Sequence, residues 1–211
     1  MARAASVSKS QSTENGTSKS DVTRQRILDA AAKVLAEKGY AHTRLSDIAD
    51  EAESHAGGLY YYFASRKKLV EAILQIATRR TIEAINAQMN ALPAKATTED
   101  RIRAAVTGQI AEILSHDAYT TAFLKIYSQV PEDVKKRHRP VLREFFEVWR
   151  EIIRKGQEAG EIRPDIDASV MRLSIIGSIQ WSAEWVVSET SSAEALGEQM
   201  AKLFFSGIRR R

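Results

Sequence analysis

The segment Thr43–Lys68, TRLSDIADEAESHAGGLYYYFASRKK, constrains the fold of this chain more than any other stretch. Leu45, Ile48, Ala49 and Ala52 make one short apolar face at helical spacing. Asp47 lies in the first turn of that helix, where a carboxylate favours the dipole. The pattern breaks at Glu53–His55. A second short helix, about Ala56 to Tyr62, places Leu59 and Phe63 at i and i+4 on an inward face. Two short helices joined by a tight turn, an aromatic cluster and a basic helix start therefore follow one another.

The flanks are helical as well. Ile27, Ala31, Val34 and Leu35 form one stripe of a helix that starts near Asp21, an N-cap, and runs to about Lys38. Gly39 then supplies a left-handed residue. Downstream, Ser65 is an N-cap for a long helix carrying Leu69, Ile73, Ile76, Ile82, Ile85 and Met89, which must end before Pro93. Residues 93–98 read as a polar, hinge-like loop. Ile102, Val106, Ile110, Ile113 and Leu114 mark a fifth helix, and Tyr119, Phe123, Ile126, Tyr127 and Val130 a sixth. Pro131 opens a charged segment through Arg139 that leads to a seventh, with Val141, Phe145, Trp149 and Ile152. Gly160 and Pro164 end it. Asp167 caps an eighth running to about Ser188. A ninth follows Ser191 or Ser192, with Leu196, Met200, Leu203 and Phe204 as its stripe. No window alternates apolar and polar residues, so the fold class is all-α with about nine helices.

Composition narrows the function classes. The 211 residues suit one or two domains with a real core. The absence of cysteine excludes a disulfide framework, a thiolate zinc site and a cysteine nucleophile, and fits a reducing cytoplasm. The formal charge of +4 is compatible with nucleic acid without demanding it. No apolar run reaches the roughly 18 to 20 residues that span a bilayer, so no membrane partner is expected. Residues 1–20 read as a disordered polar tail, or as a basic arm touching phosphates.

A convergent catalytic site is missing. His42, His55, His116 and His138 have no i, i+3 or i+4 partner ligands, and GxSxG, GxGxxG and P-loop patterns are absent. Asp47, Asp50 and Glu51 read as a solvated helix face. The chain is therefore expected to be no enzyme and to carry no cofactor or metal. A helical adaptor without DNA binding and a helical enzyme are the rival classes.

The central segment is the part that carries chemistry. Ala56-Gly57-Gly58 at a helix start costs roughly 1 kcal/mol per glycine relative to alanine. The glycines either make the turn or let another backbone come close. Tyr60, Tyr61 and Tyr62 point about 100° apart, so at least one ring must face out, where it can bond a phosphate oxygen or pack on a thymine methyl. Tyr60 and Tyr61 are the outward candidates. Arg66-Lys67-Lys68 sits at the positive end of a helix dipole, where cations are unfavourable and a nearby phosphate would remove the conflict. A solvated charge run is the alternative. Together these features describe a helix-turn-helix head for entering a DNA groove.

Residues 24–70 resemble the DNA-binding head of the TetR family of transcriptional regulators. The resemblance rests on Gly39-Tyr40, Thr43, Asp47-Ile48-Ala49, Gly57, Leu59-Tyr60, Tyr62-Phe63, Ser65 and Leu69. It implies a homodimer that reads a palindromic operator in double-stranded DNA, acts as a repressor and is released by a small-molecule effector. It implies a head over 21–68 and a ligand-binding and dimerisation body over 69–211. By position, the DNA contacts would be Arg44, Ser46, His55, Ala56, Gly57, Gly58, Tyr60, Tyr61 and Arg66. Two departures stand out. Glu53-Ser54 replaces the family's Gly-Val turn, with Ser54 a candidate cap for the second helix. Arg44 replaces the Ser or Thr cap of the first, leaving Thr43 or Asp47 to cap it.

The eighth helix carries apolar residues on more than one face, so it must be buried on two sides. The family places the last two helices at the dimer interface, which points to Leu173, Ile176, Gly177, Ile179, Leu196, Met200, Leu203 and Phe204. The centre of a monomeric core is the alternative. Candidate effector contacts are Met89, Phe123, Tyr127, Phe146, Trp149, Trp181 and Trp185, each of which core packing would also explain. Gly160-Glu161-Ile162-Arg163-Pro164-Asp165 before a Trp-bearing helix resembles members that sense acyl-CoA thioesters, which implies an acyl or other lipophilic effector.

Overall fold

The computed structural model describes residues 18–185 and 192–209. Among these it has nine α-helices: α1 Lys19–His42, α2 Leu45–Glu51, α3 Ala56–Tyr62, α4 Arg66–Asn90, α5 Thr98–Leu114, α6 Ala118–Ile126, α7 Glu132–Glu158, α8 Ala168–Trp185 and α9 Ala193–Ile208. The fold is all-α. None of these helices is long and apolar enough to cross a membrane. The expected tail at 1–20 lies almost wholly outside the described residues, as does the stretch after Trp185 into which the eighth helix was expected to run.

Local signals set most boundaries. Ser18, not Asp21, is the N-cap of α1. Its hydroxyl accepts from Asp21 N at 3.1 Å while the Asp21 carboxylate accepts from Ser18, closing a capping box. Gly39 takes φ 74°, a left-handed conformation, and bends the last turn. The Thr43 hydroxyl donates to the Gly39 carbonyl at 2.7 Å. Thr43 thus closes α1, and Asp47 alone serves α2, accepting from Arg44 N at 2.8 Å. Ser65, Asp167 and Ser192 hold the expected starts of α4, α8 and α9.

The seventh helix differs from expectation. It does not begin after Arg139 but runs unbroken from Glu132, with Pro140 inside it. Proline removes one ladder hydrogen bond. Buried Val134 and His138 before it, and Val141 and Phe145 after it, hold both halves against the rest of the molecule.

Two apolar cores result. The first joins α1, α2, α3 and the start of α4 to Tyr119, Ala122 and Ile126 of α6 and to Val130 and Val134. The second joins Ile85 of α4 to α5, the rest of α7, α8 and α9. Helices α4 and α7 run through both. α6 lies along α1, and it and the turn after it are fastened to α1 at three levels. Tyr119 donates to Asp29 at 2.7 Å, Lys125 Nζ donates to the Ala36 and Glu37 carbonyls, and the Tyr40 N–H donates to Gln129 at 3.2 Å. Burial, and then the Asp29 carboxylate, push the Tyr119 phenol well above its usual range. The core around the head therefore reaches into residues well beyond 68.

Candidate nucleic-acid interface

α3 occupies the expected residues, and its three tyrosines divide as the 100° spacing requires. Tyr61 is 80% exposed and Tyr60 55%, while Tyr62 is half-buried against the first core and meets the Tyr61 ring edge-on at 4.9 Å. Leu59 and Phe63 are buried. Arg44, Ser46, His55 and Gly57 are exposed beside them, and Gly58 is half-buried. The Ala56 side chain lies outside the described residues.

The turn explains its unusual residues. Glu53 sits at φ 47°, the left-handed conformation usually given to glycine, at a cost of roughly 1 to 2 kcal/mol. Its side chain is exposed. Ser54 does not cap α3, whose N-cap is His55 without a side-chain bond. A Cβ at Gly58 would lie 2.9 Å from the Ser54 hydroxyl, so Gly58 makes room for Ser54. A Cβ at Gly57 would meet nothing closer than 3.6 Å. The two glycines, alike in sequence, have different reasons.

Arg66 requires a correction. It does not face outward as a free phosphate ligand. Its guanidinium stacks over the Tyr40 ring, 4.1 Å from the centroid, and donates to the Tyr40 carbonyl. It clamps the start of α4 to the end of α1. Lys67 and Lys68 are not simply solvated either. Lys67 pairs with Asp133 of α7 at 3.0 Å and Lys68 with Glu71 at 3.1 Å. Arg137 of α7 joins both acids, at 2.7 Å to Glu71 and 3.2 Å to Asp133. The Lys67 and Arg137 partners hold the Asp133 carboxyl below its usual value. Nothing local in the sequence signals the Lys67–Asp133 pair, because its members are 66 residues apart. Two of the three acids of α2 are also paired, Glu51 with Lys33 at 2.7 Å and Asp47 with Lys38 at 3.0 Å, while Asp50 is exposed.

Among the described side chains the effector candidates do not converge. Phe123 and Tyr127 belong to the first core, stacked at 5.0 Å, whereas Met89, Phe146 and Trp149 belong to the second. Trp149 is fully buried and donates to Gln109 at 3.2 Å, so it is a core residue. Trp181 is 59% exposed, pointing away from both cores. The Trp185 side chain lies outside the described residues. A surface groove of about 370 Å³ between α1, α5 and α6 is lined by Ala36, Ile113, Leu114, His116, Thr121, Leu124 and Lys125, and by none of the seven.

The expected dimer residues also split. Leu173 (58% exposed), Gly177 and Leu203 (72%) face outward. Ile176 and Ile179 are buried in this chain's own second core, and Leu196, Met200 and Phe204 are half-buried against it. The outward stripe on α8 is Val170, Leu173, Gly177 and Trp181, at i, i+3, i+7 and i+11. Val170 and Trp181 extend this face beyond the expected residues.

Comparison with known proteins agrees with this geometry. The family described as "Bacterial regulatory proteins, tetR family" matches residues 27–73, and "Tetracyclin repressor-like, C-terminal domain" matches residues 95–208. The fatty acid metabolism regulator protein of Bacillus subtilis (strain 168) is 24% identical over 186 residues, covering 87% of this chain and 94% of the relative. The HTH-type transcriptional repressor KstR2 of Rhodococcus jostii (strain RHA1) is 30% identical over 153 residues, covering 70% and 71%. The structure of the regulator FadR from Bacillus subtilis in complex with stearoyl-CoA superposes with a TM-score of 0.73 at 22% identity, covering 87% of this chain and 98% of that one. An all-helical fold with a helix-turn-helix head is the architecture of a DNA-binding transcriptional regulator. The chain belongs to the TetR family.

Proposed function

We propose that this chain is a homodimeric repressor whose two heads occupy the half-sites of a palindromic operator, and that an acyl-CoA or similar lipophilic effector releases it. The observation that carries the DNA reading is the outward pair Tyr60 and Tyr61 on α3, next to exposed His55 and Gly57. Both rings lie outside the apolar core, and both offer a hydroxyl to phosphate or an apolar face to thymine. Arg44 and Ser46 extend the same contact surface. Residues 21–68 serve as the reading head and 69–211 as the body. The outward stripe of α8, with Leu203 of α9, supports the pairing of two copies. The effector class is supported by the names of the relatives, one of them a fatty acid metabolism regulator, and by the stearoyl-CoA held by a protein of the same fold. On this reading the chain acts in the cytoplasm, without catalysis and without a resident cofactor.

Fluorescence anisotropy with duplex DNA from beside the chain's own gene tests it across a salt series. The logarithm of the affinity should fall linearly with log salt, and stearoyl-CoA should release the DNA. A folded dimer that binds no DNA at any salt refutes the regulator. Binding that survives every acyl-CoA chain length refutes the effector class.

A further inference from the structure

We propose that Asp133, in the first turn of α7, is an electrostatic brake on DNA binding: it holds Lys67 of the head in an internal ion pair that a DNA phosphate must displace. This rests on the reading of α3 and the start of α4 as the DNA-facing surface.

Three cations occupy the first turn of α4, where the helix dipole disfavours them. A sequence shaped for helix stability alone would place acids there. Here the compensating acids come from elsewhere: Asp133 reaches Lys67 from α7, and Glu71 reaches Lys68 from one turn along α4. Arg137 then links the two acids, so the network runs Lys67, Asp133, Arg137, Glu71, Lys68. It contains three cations and two anions and keeps a net positive charge. Glu71 is buried and accepts both Arg137 at 2.7 Å and Lys68 at 3.1 Å. Asp133 and Lys67 are both about half exposed, and their pair is free to exchange.

This pair stands at the edge of the contact surface. Tyr60 shares a crevice with Ser65 and Arg66, the residues just before Lys67, and Lys68 shares a groove with Arg24 and Tyr62. A duplex docked on Tyr60 and Tyr61 would bring phosphates to the start of α4, where helix amides and lysines both favour an anion. Asp133 is the competing anion. It belongs to the body, so any shift of α7 changes how strongly the head's own cation is held back.

The test uses the full-length chain with a fluorescently labelled mixed-sequence duplex, since phosphate contacts do not depend on sequence. Asp133→Asn should tighten binding at low salt by roughly 2- to 5-fold, and the gain should fade as salt rises. In a Lys67→Ala background the gain should fall to what the loss of any anion from that turn gives. Glu132→Gln is the control: it removes the same charge from the same helical turn but touches Lys135, not Lys67. It should give a smaller gain that persists in the Lys67→Ala background. Equal gains in Asp133→Asn and Glu132→Gln, or an Asp133→Asn gain undiminished by Lys67→Ala, overturn the brake. If the parent chain shows no salt-dependent DNA binding, the DNA reading and the brake fall together. If it binds and Asp133→Asn matches it, only the brake falls.

Discussion

His138 Nε2 lies 3.0 Å from Thr78 Oγ1, and the imidazole is the donor of that bond. The Thr78 hydroxyl has one proton, and it goes to the Leu74 carbonyl at 3.0 Å. Nδ1 is then unprotonated, and no donor among the described residues reaches it. The Phe123 and Tyr127 rings stand at 5.9 and 5.7 Å. The pair sits where α4 and α7 pass from the first core to the second.

Burial holds the His138 imidazole below its ordinary value of 6.5, against weaker opposing effects of the Leu74 carbonyl and Glu71. The unfolded chain therefore takes up this proton first as pH falls. Stability should be flat above about pH 7 and should decline below the unfolded value of 6.5 until the folded ring also protonates. Urea melts at several pH values should show that loss. His138→Leu should flatten the acid side of the curve, since Thr78 keeps its bond to Leu74. An unchanged acid slope would assign the loss to other groups.

Gly57 and Gly58 should separate under alanine substitution. Gly57→Ala has room within the chain and should stabilise α3 by up to about 1 kcal/mol while weakening DNA binding. Gly58→Ala must move the Ser54 side chain, so its effect should appear first in the melt. Paired melts and binding curves read both. Equal DNA affinity for Gly57→Ala and the parent would leave Gly57 a turn residue only.

Gly108 is where α5 crosses α4. A Cβ there would lie 2.7 Å from the Ala84 carbonyl oxygen and 2.9 Å from Ile85 Cα, both backbone atoms that cannot turn aside. Gly108→Ala should destabilise by about 1 to 3 kcal/mol, because the helices must part. A melt within error of the parent would contradict this crossing.

On α8, Leu173→Glu should leave helicity intact and convert a dimer to a monomer, measured by sedimentation. Leu173 points outward, so the charge does not enter the core. Ile176→Glu, one turn along, should instead unfold the chain, because that side chain is buried in its own protomer. A Leu173→Glu protein that remains dimeric would move the interface elsewhere.

The sequence by itself determined what depends on neighbours within one helical turn. The span of α3, the caps Ser65, Asp167 and Ser192, the left-handed Gly39 and the outward Tyr60 and Tyr61 all follow from capping chemistry and the 3.6-residue period. These signals carry their own partners close by. The family resemblance extended that reading to the role of the head.

Only the tertiary structure decided the rest. α8 carries apolar residues on more than one face, so its pattern alone does not say that Ile176 turns inward and Leu173 outward; the helices packed against it do. Pro140 marks a helix break locally, yet buried contacts on both sides carry α7 through it. Arg66 and Lys67 look free in sequence because their partners are distant, whereas Lys68 finds Glu71 one turn along. Tyr40 is 26 residues from Arg66, and Asp133 is 66 from Lys67. A charge is satisfied by whatever the fold brings within reach, and chain order does not record that distance.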